Sequence, residues 1–234
     1  MPRKPRFYQP SIPAHVFQRG HNKLPVFFED LDYHEYLQCL KRSADKHGCD
    51  IHAYVLMTNH VHLLLTPQRE DSIGQMFQSI GRDYVRYINQ KYQRCGGLWE
   101  GRHKGNIVES CRYMLLAMRY IEVNPVRAGM VEHPAEYRWS SYVANALGES
   151  SAILRYQEEY LALGKTSQIR CAAYKALFNE FTNVDEQELI RQSLNSGTPL
   201  GSDQFKKNIE KVSGYKIGYS VRGRPAKGEK IEED

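Results

Sequence analysis

The sequence predicts an α+β fold, a ferredoxin-like antiparallel sheet with helices packed on it, and three observations carry that expectation. Candidate elements run strand, helix, strand, strand, helix, strand, helix, the order of a split βαβ sandwich. The two middle strands are separated only by Thr58-Asn59, a link that permits nothing but a tight antiparallel hairpin. The first and second helical stretches each carry an apolar stripe, and so have one face to bury.

The elements follow in order. "AHVFQR", Ala14 to Arg19, reads as a short strand and "GHNK" after it as a turn. Between Asp30 and His47, Leu31, Tyr36, Leu37 and Leu40 recur at helical spacing, and Gly48 suits a C-cap. "CDIHAYVLM" and the stretch His60 to Thr66 form the hairpin. Ser72 caps a long helix running to about Arg94, with Ile73, Met76, Phe77, Ile80, Tyr84 and Ile88 on one side. "GGLWEGRHKGNIVES" reads as a glycine-broken strand pair. Ser110 then caps "CRYMLLAMRYIEVN", which Pro125 ends by disfavouring the α conformation in the residue before it. Past Tyr142, amphipathic helices alternate with Gly, Ser and Pro breaks. The expected organisation is a core over residues 1–143, a small helical appendage over 144–214, and a basic tail over 215–234.

Composition narrows the class. Of 234 residues, 41% are hydrophobic and 25% charged, which suits a globular protein. No apolar run approaches the roughly 18 residues a membrane span requires, and "MPRKPRFYQP" lacks the apolar segment of a secretory signal. A cytoplasmic protein with no membrane partner is expected. The five cysteines are scattered without CxxC spacing, which indicates neither a disulfide framework nor a zinc knuckle. A net charge of +5 favours a polyanionic partner. The basic residues cluster: Arg3, Lys4 and Arg6 form an N-terminal arm, and Arg102, His103 and Lys104 a central group. Lys211 to Lys230 holds six Lys and Arg against one Glu. Within it, Arg222-Gly223-Arg224-Pro225 resembles an AT-hook, whose arginines enter a narrow minor groove. A solvated surface would explain each cluster as well as a ligand does.

"TNHVHLLLTP" is the most informative stretch. Residues two apart on a strand project from one face, about 6–7 Å apart, so His60 and His62 can converge on one metal ion. Val61, Leu63 and Leu65 take the opposite face and suit a core. The pair is equally compatible with two polar residues on the open face of a sheet. The last core helix places Tyr113, Ala117, Tyr120 and Asn124 along one stripe, so that a phenol and an amide oxygen stand one turn apart.

Together, "NHVHLLL" after a hairpin, "GLWEGRHK", "YIEVNPVRAG" and "YRWSSY" resemble the single-tyrosine His-hydrophobic-His transposases, and within them the REP-associated tyrosine transposases. The resemblance spans about Ala14 to Tyr142. Related insertion-sequence transposases carry Tyr-Ile-x-x-Gln on the helix, whereas this chain carries Tyr120-Ile121-Glu122-Val123-Asn124-Pro125, as the REP-associated group does. The resemblance implies a single-strand DNA endonuclease and strand transferase acting near a hairpin. Tyr120 would be the nucleophile, and His60, His62 and Asn124 the ligands of Mg²⁺ or Mn²⁺. Arg19 and Arg127 join the basic residues above as expected DNA contacts. No GxxxxGK[ST] loop occurs, in keeping with chemistry that needs no nucleotide cofactor. In such transposases an active site can be shared between subunits, so monomer and homodimer both remain open.

Competing readings fare less well on spacing. HxHxDH hydrolases need Asp two residues after the second histidine, where this chain has Leu64, and no second HxT motif is present. Tyr87 lies among further tyrosines on the middle helix, but Lys91, not Gln or Asn, stands four residues on. The alternative from another class is a non-catalytic nucleic-acid binder on the same scaffold. Such modules present stacking aromatics on their central strands, and the histidine strand has none.

Overall fold

In the computed structural model, which describes residues 6–110, 112–179 and 184–214, the sheet forms as expected. Its strands are β1 (Ala14–Arg19), β2 (Cys49–Met57), β3 (His60–Pro67) and β4 (Lys104–Ile107), in the antiparallel order β2-β3-β1-β4. The histidine strand is therefore internal. Helices α1 (Asp30–His47) and α2 (Ser72–Lys91) pack together over one face. They bury Tyr36, Leu40, Ile73, Met76, Ile80 and Tyr84 there. Gly48 closes α1 at φ 67°, a left-handed conformation that glycine adopts without a Cβ clash.

Helix α3 (Arg112–Glu122) lies across the opposite face, against β2 and β3 of its own chain. The chain then breaks at Val123 and re-enters a short helix, α4 (Asn124–Arg127). Pro125 therefore does not stop helical structure. It occupies the first turn of α4, where its missing N–H has no partner to lose. Two further expectations are corrected. Ser72 begins α2 but Asp71 holds the cap position, and the Ser72 hydroxyl accepts from Arg69 N–H at 3.1 Å. The glycine-broken pair is a single strand, because Gln93, Gly96 and Gly101 take positive φ and turn the chain, leaving only a bridge between Gly20 and Trp99.

The remaining helices are α5 (Tyr142–Leu147), α6 (Glu158–Leu161), α7 (Ser167–Ala176), α8 (Val184–Ser196) and α9 (Asp203–Ser213). Helix α8 joins α3 over the histidine face, touching β1 and β4. Later segments also seal both sheet edges. Leu56 N–H donates to the Trp139 carbonyl and Arg155 N–H to that of Ile51, along β2. Beside β4, Leu200 N–H donates to the Ile107 carbonyl while Glu109 N–H donates to that of Leu200. "YRWSSY" thus works as a clamp. Tyr137 donates to the Leu56 carbonyl, Trp139 stacks on Tyr33, and Ser141 donates to the buried Glu122 carboxyl at 2.5 Å. No helix among the described residues is long and apolar enough to cross a membrane.

Candidate active site

Strand alternation and register assemble the site. Phe17 stands opposite His62 and Arg19 opposite His60, so β1 and β3 present these four side chains on one face. The Phe17 ring packs against both imidazoles, 5.4 Å from His60 and 4.8 Å from His62, whose own centroids are 5.3 Å apart. Each imidazole commits its Nδ1. That of His60 donates to the Asn59 side-chain oxygen at 2.6 Å, and that of His62 lies 2.9 Å from His15 Nε2. Both therefore keep Nε2 for the cleft.

Burial disfavours the charged form of both rings. It pulls His60 down to about 4, helped by the Arg19 cation, and His62 well below its ordinary range, helped by His15, His60 and Arg127. At neutral pH both are uncharged and can ligate a cation without displacing a proton.

Helix α3 brings Tyr120 to these rings. It stands edge-on to His62 at 6.1 Å and to His15 at 5.7 Å. Asn124, one turn on, donates its Nδ2 to the carbonyls of Tyr120 and Ile121 at 2.7 and 3.2 Å, which leaves its Oδ1 as the polar atom for the cleft. Arg127 lies over the Tyr120 ring at 4.9 Å. A cleft of about 420 Å³ collects His60, His62, Tyr120, Asn124 and Arg127. Arg19 and Lys23 line it from the β1 side, Arg191 and Asn195 from α8.

Among the described residues, no three His, Cys, Asp or Glu side chains form a metal cage. The donors that fit an ion are two neutral imidazoles and one amide oxygen. That set suits a divalent cation of mixed preference and leaves coordination positions for substrate oxygens.

Other expected contacts divide. Arg19 is in the cleft but shared with Glu100 at 2.7 Å. Arg102 is exposed, and Lys104 is half-buried at the edge of the sheet; neither lines the cleft. His103 is corrected: it is 4% exposed, stacked on Phe77 at 4.4 Å, and burial pulls its pKa down to about 3. Enclosed against Tyr8 and Phe77, the ring is not presented to a phosphate at the surface. Arg6 and Arg102 are near enough to add to that shift. Arg3, Lys4, Arg222 and Arg224 lie outside the described residues. Tyr87 is accounted for otherwise, since its hydroxyl donates to Asp32 at 3.1 Å on α2, across the sheet from the histidines. Sequence reasoning missed His15, Lys23, Arg191 and Asn195. Only His15 left a signal, as a third imidazole in phase with Phe17 and Arg19.

A ferredoxin-like sheet with two histidines on an inner strand, faced by a helix-borne tyrosine, defines a class of DNA nicking and joining folds. Residues 9–124, from before β1 to Asn124, match the model of the IS200-like transposases, and this stretch carries that family's domain. It is 22% identical over 122 residues to a REP-associated tyrosine transposase of Haemophilus influenzae, covering 47% of this chain and 69% of that one. Its fold resembles a REP-associated tyrosine transposase solved bound to a REP hairpin, with a TM-score of 0.55 and 15% identity. That match covers 68% of this chain and 93% of the other.

Proposed function

We propose that this protein is a metal-dependent single-strand DNA endonuclease and strand transferase, cutting beside REP-like hairpins through a 5′-phosphotyrosine. The observation that carries the reading is the single cleft in which Tyr120, its ring edge-on to His62, shares a wall with His60, Asn124 and Arg127. The hairpin-bound relative supports a hairpin as substrate here.

His60 Nε2, His62 Nε2 and Asn124 Oδ1 would hold Mg²⁺ or Mn²⁺, which when bound polarises a phosphoryl oxygen. Tyr120 Oη attacks phosphorus. The Oη–P bond forms as the P–O3′ bond breaks, the phenol proton passes to solvent, and the departing 3′ oxygen takes one up. A phenol is a weak nucleophile at neutral pH, and the Arg127 cation beside the ring places positive charge next to the reacting phosphate. The phosphodiester survives as a phosphotyrosine ester, so a 3′-OH can reverse the step and no nucleotide cofactor is needed. Arg19, Lys23 and Arg191 add positive charge around the strand. Arg6, Arg102 and Lys104, with Arg3, Lys4, Arg222 and Arg224, would take flanking phosphates.

The test is incubation of the full chain with hairpin-bearing single strands and Mn²⁺, followed by a denaturing gel. A covalent protein–DNA band is expected, absent from Tyr120→Phe. Tight binding without any band would favour the non-catalytic binder.

A further inference from the structure

Behind His62 the sheet buries another imidazole that the cleft does not reach. His15 is fully buried, lies outside the cleft lining, and holds its Nε2 2.9 Å from His62 Nδ1. A neutral imidazole has one N–H and one lone pair, so one ring donates and the other accepts. The direction matters at the far side of His62. If its Nδ1 accepted, its proton would sit on Nε2 and block the nitrogen that faces the cleft.

The neighbouring strand and α8 supply a direction. Ser193 Oγ donates to the Thr198 carbonyl at 2.5 Å, so its lone pairs receive the Asn106 Nδ2–H at 2.8 Å. This turns the Asn106 carboxamide so that Oδ1 lies on its other side, buried and with no hydrogen-bond partner. Asn106 stands directly opposite His15 in the β1–β4 register, and His15 Nδ1 is likewise buried with no partner. Directly opposed residues have Cβ atoms about 5 Å apart, within reach of an imidazole and an amide. A proton on His15 Nδ1 complements the Asn106 oxygen. His15 Nε2 is then an acceptor, met by the His62 Nδ1–H.

We infer that His15 is a positioning residue that, backed by Asn106 and Ser193, holds His62 as its Nδ1–H tautomer and so keeps the His62 Nε2 lone pair open to a divalent cation. The inference rests on the metal reading above. It gives α8, outside the stretch matched by the family model, a part in preparing the site. His15 touches no substrate and acts only through His62. Partners of this kind fix the ring orientation and tautomer of metal-binding histidines.

The test combines two readouts on the full chain. Long-range ¹H–¹⁵N spectra of the metal-free wild type should show His62 protonated on Nδ1; protonation on Nε2 overturns the inference, however any variant folds. In calorimetric Mn²⁺ titrations, His15→Phe should bind on the order of 10–100-fold more weakly. His15→Gln, whose side-chain oxygen can accept the same N–H, should stay within a few fold of wild type. Hairpin affinity in EDTA should be unchanged in both. His60→Ala separates the two readings. If it loses Mn²⁺ affinity while His15→Phe does not, only the role of His15 falls; if it binds Mn²⁺ like wild type, the metal reading and this inference fall together.

Discussion

The Arg127 guanidinium lies 4.9 Å from the centroid of the Tyr120 ring. The two residues are seven apart, about two helical turns, and the break at Val123 does not carry them to different faces. A permanent cation thus sits beside the candidate nucleophile in a partly desolvated cleft. Arg127→Ala should slow single-turnover adduct formation by about 10²-fold or more, the usual loss for a group that stabilises developing negative charge. Arg127→Lys should recover part of the rate, and an unchanged rate in the alanine variant would remove Arg127 from the chemistry.

Tyr120→Phe should abolish the adduct while hairpin affinity persists, since the ring and its contacts with His15 and His62 remain. Tyr113→Phe and Tyr87→Phe should both form it. Tyr87→Phe should cost about 1 kcal/mol of stability, through loss of its bond to Asp32. Peptide mapping of the trapped complex checks the assignment, and a nucleotide found on Tyr87 or Tyr113 refutes it.

The double variant His60→Ala/His62→Ala should lose cleavage yet keep most of its hairpin affinity, because phosphate contacts elsewhere dominate binding. Full activity in EDTA would rule out the metal site.

Tyr120 meets the histidines of its own chain. Mixing Tyr120→Phe with His60→Ala should therefore give no complementation in adduct assays. Recovery of activity in the mixture would mean that subunits exchange α3.

Burial lifts the Glu122 carboxyl from its ordinary 4.5 to about 7, against the opposing pull of bonds from Ser141, Tyr174 and Asn145. Between those values the folded state holds a proton that the unfolded state has released. Glu122 therefore lowers stability as pH rises through this window, by up to about 3 kcal/mol. Melting temperatures of wild type and Glu122→Gln, compared from pH 5 to 7.5, should diverge, with wild type losing ground. Parallel curves would refute the assignment.

Local periodicity made most of this fold readable. The Thr58-Asn59 link and the alternation of His60 to Leu65 specify a hairpin and its faces before any tertiary contact is known. The stripe of Tyr120 and Asn124 was legible for the same reason. What escaped depends on pairings between distant segments. His15 is a lone imidazole on a six-residue strand, and only its alignment beside β3 makes it a neighbour of His62. His103 reads as charge within Arg-His-Lys, yet it is drawn into the core by Phe77, 26 residues earlier in the chain. Arg191 reaches the cleft because Leu200 is stitched to β4, a register that no nearby pattern encodes.

That stitching bears on how the protein is made. The ribosome delivers the four strands and Tyr120 early, but β2 stays bare along one side until residues 139–155 emerge, and β4 until Leu200 follows. Uncovered strand edges are templates for pairing with another chain. A nascent polypeptide halted between Asn124 and Val184 would hold both histidines and the tyrosine without the α8 wall of the cleft. Translation that stalls in this interval should leave aggregates, because the cleft wall from α8 and the cover on β4 both arrive late in synthesis.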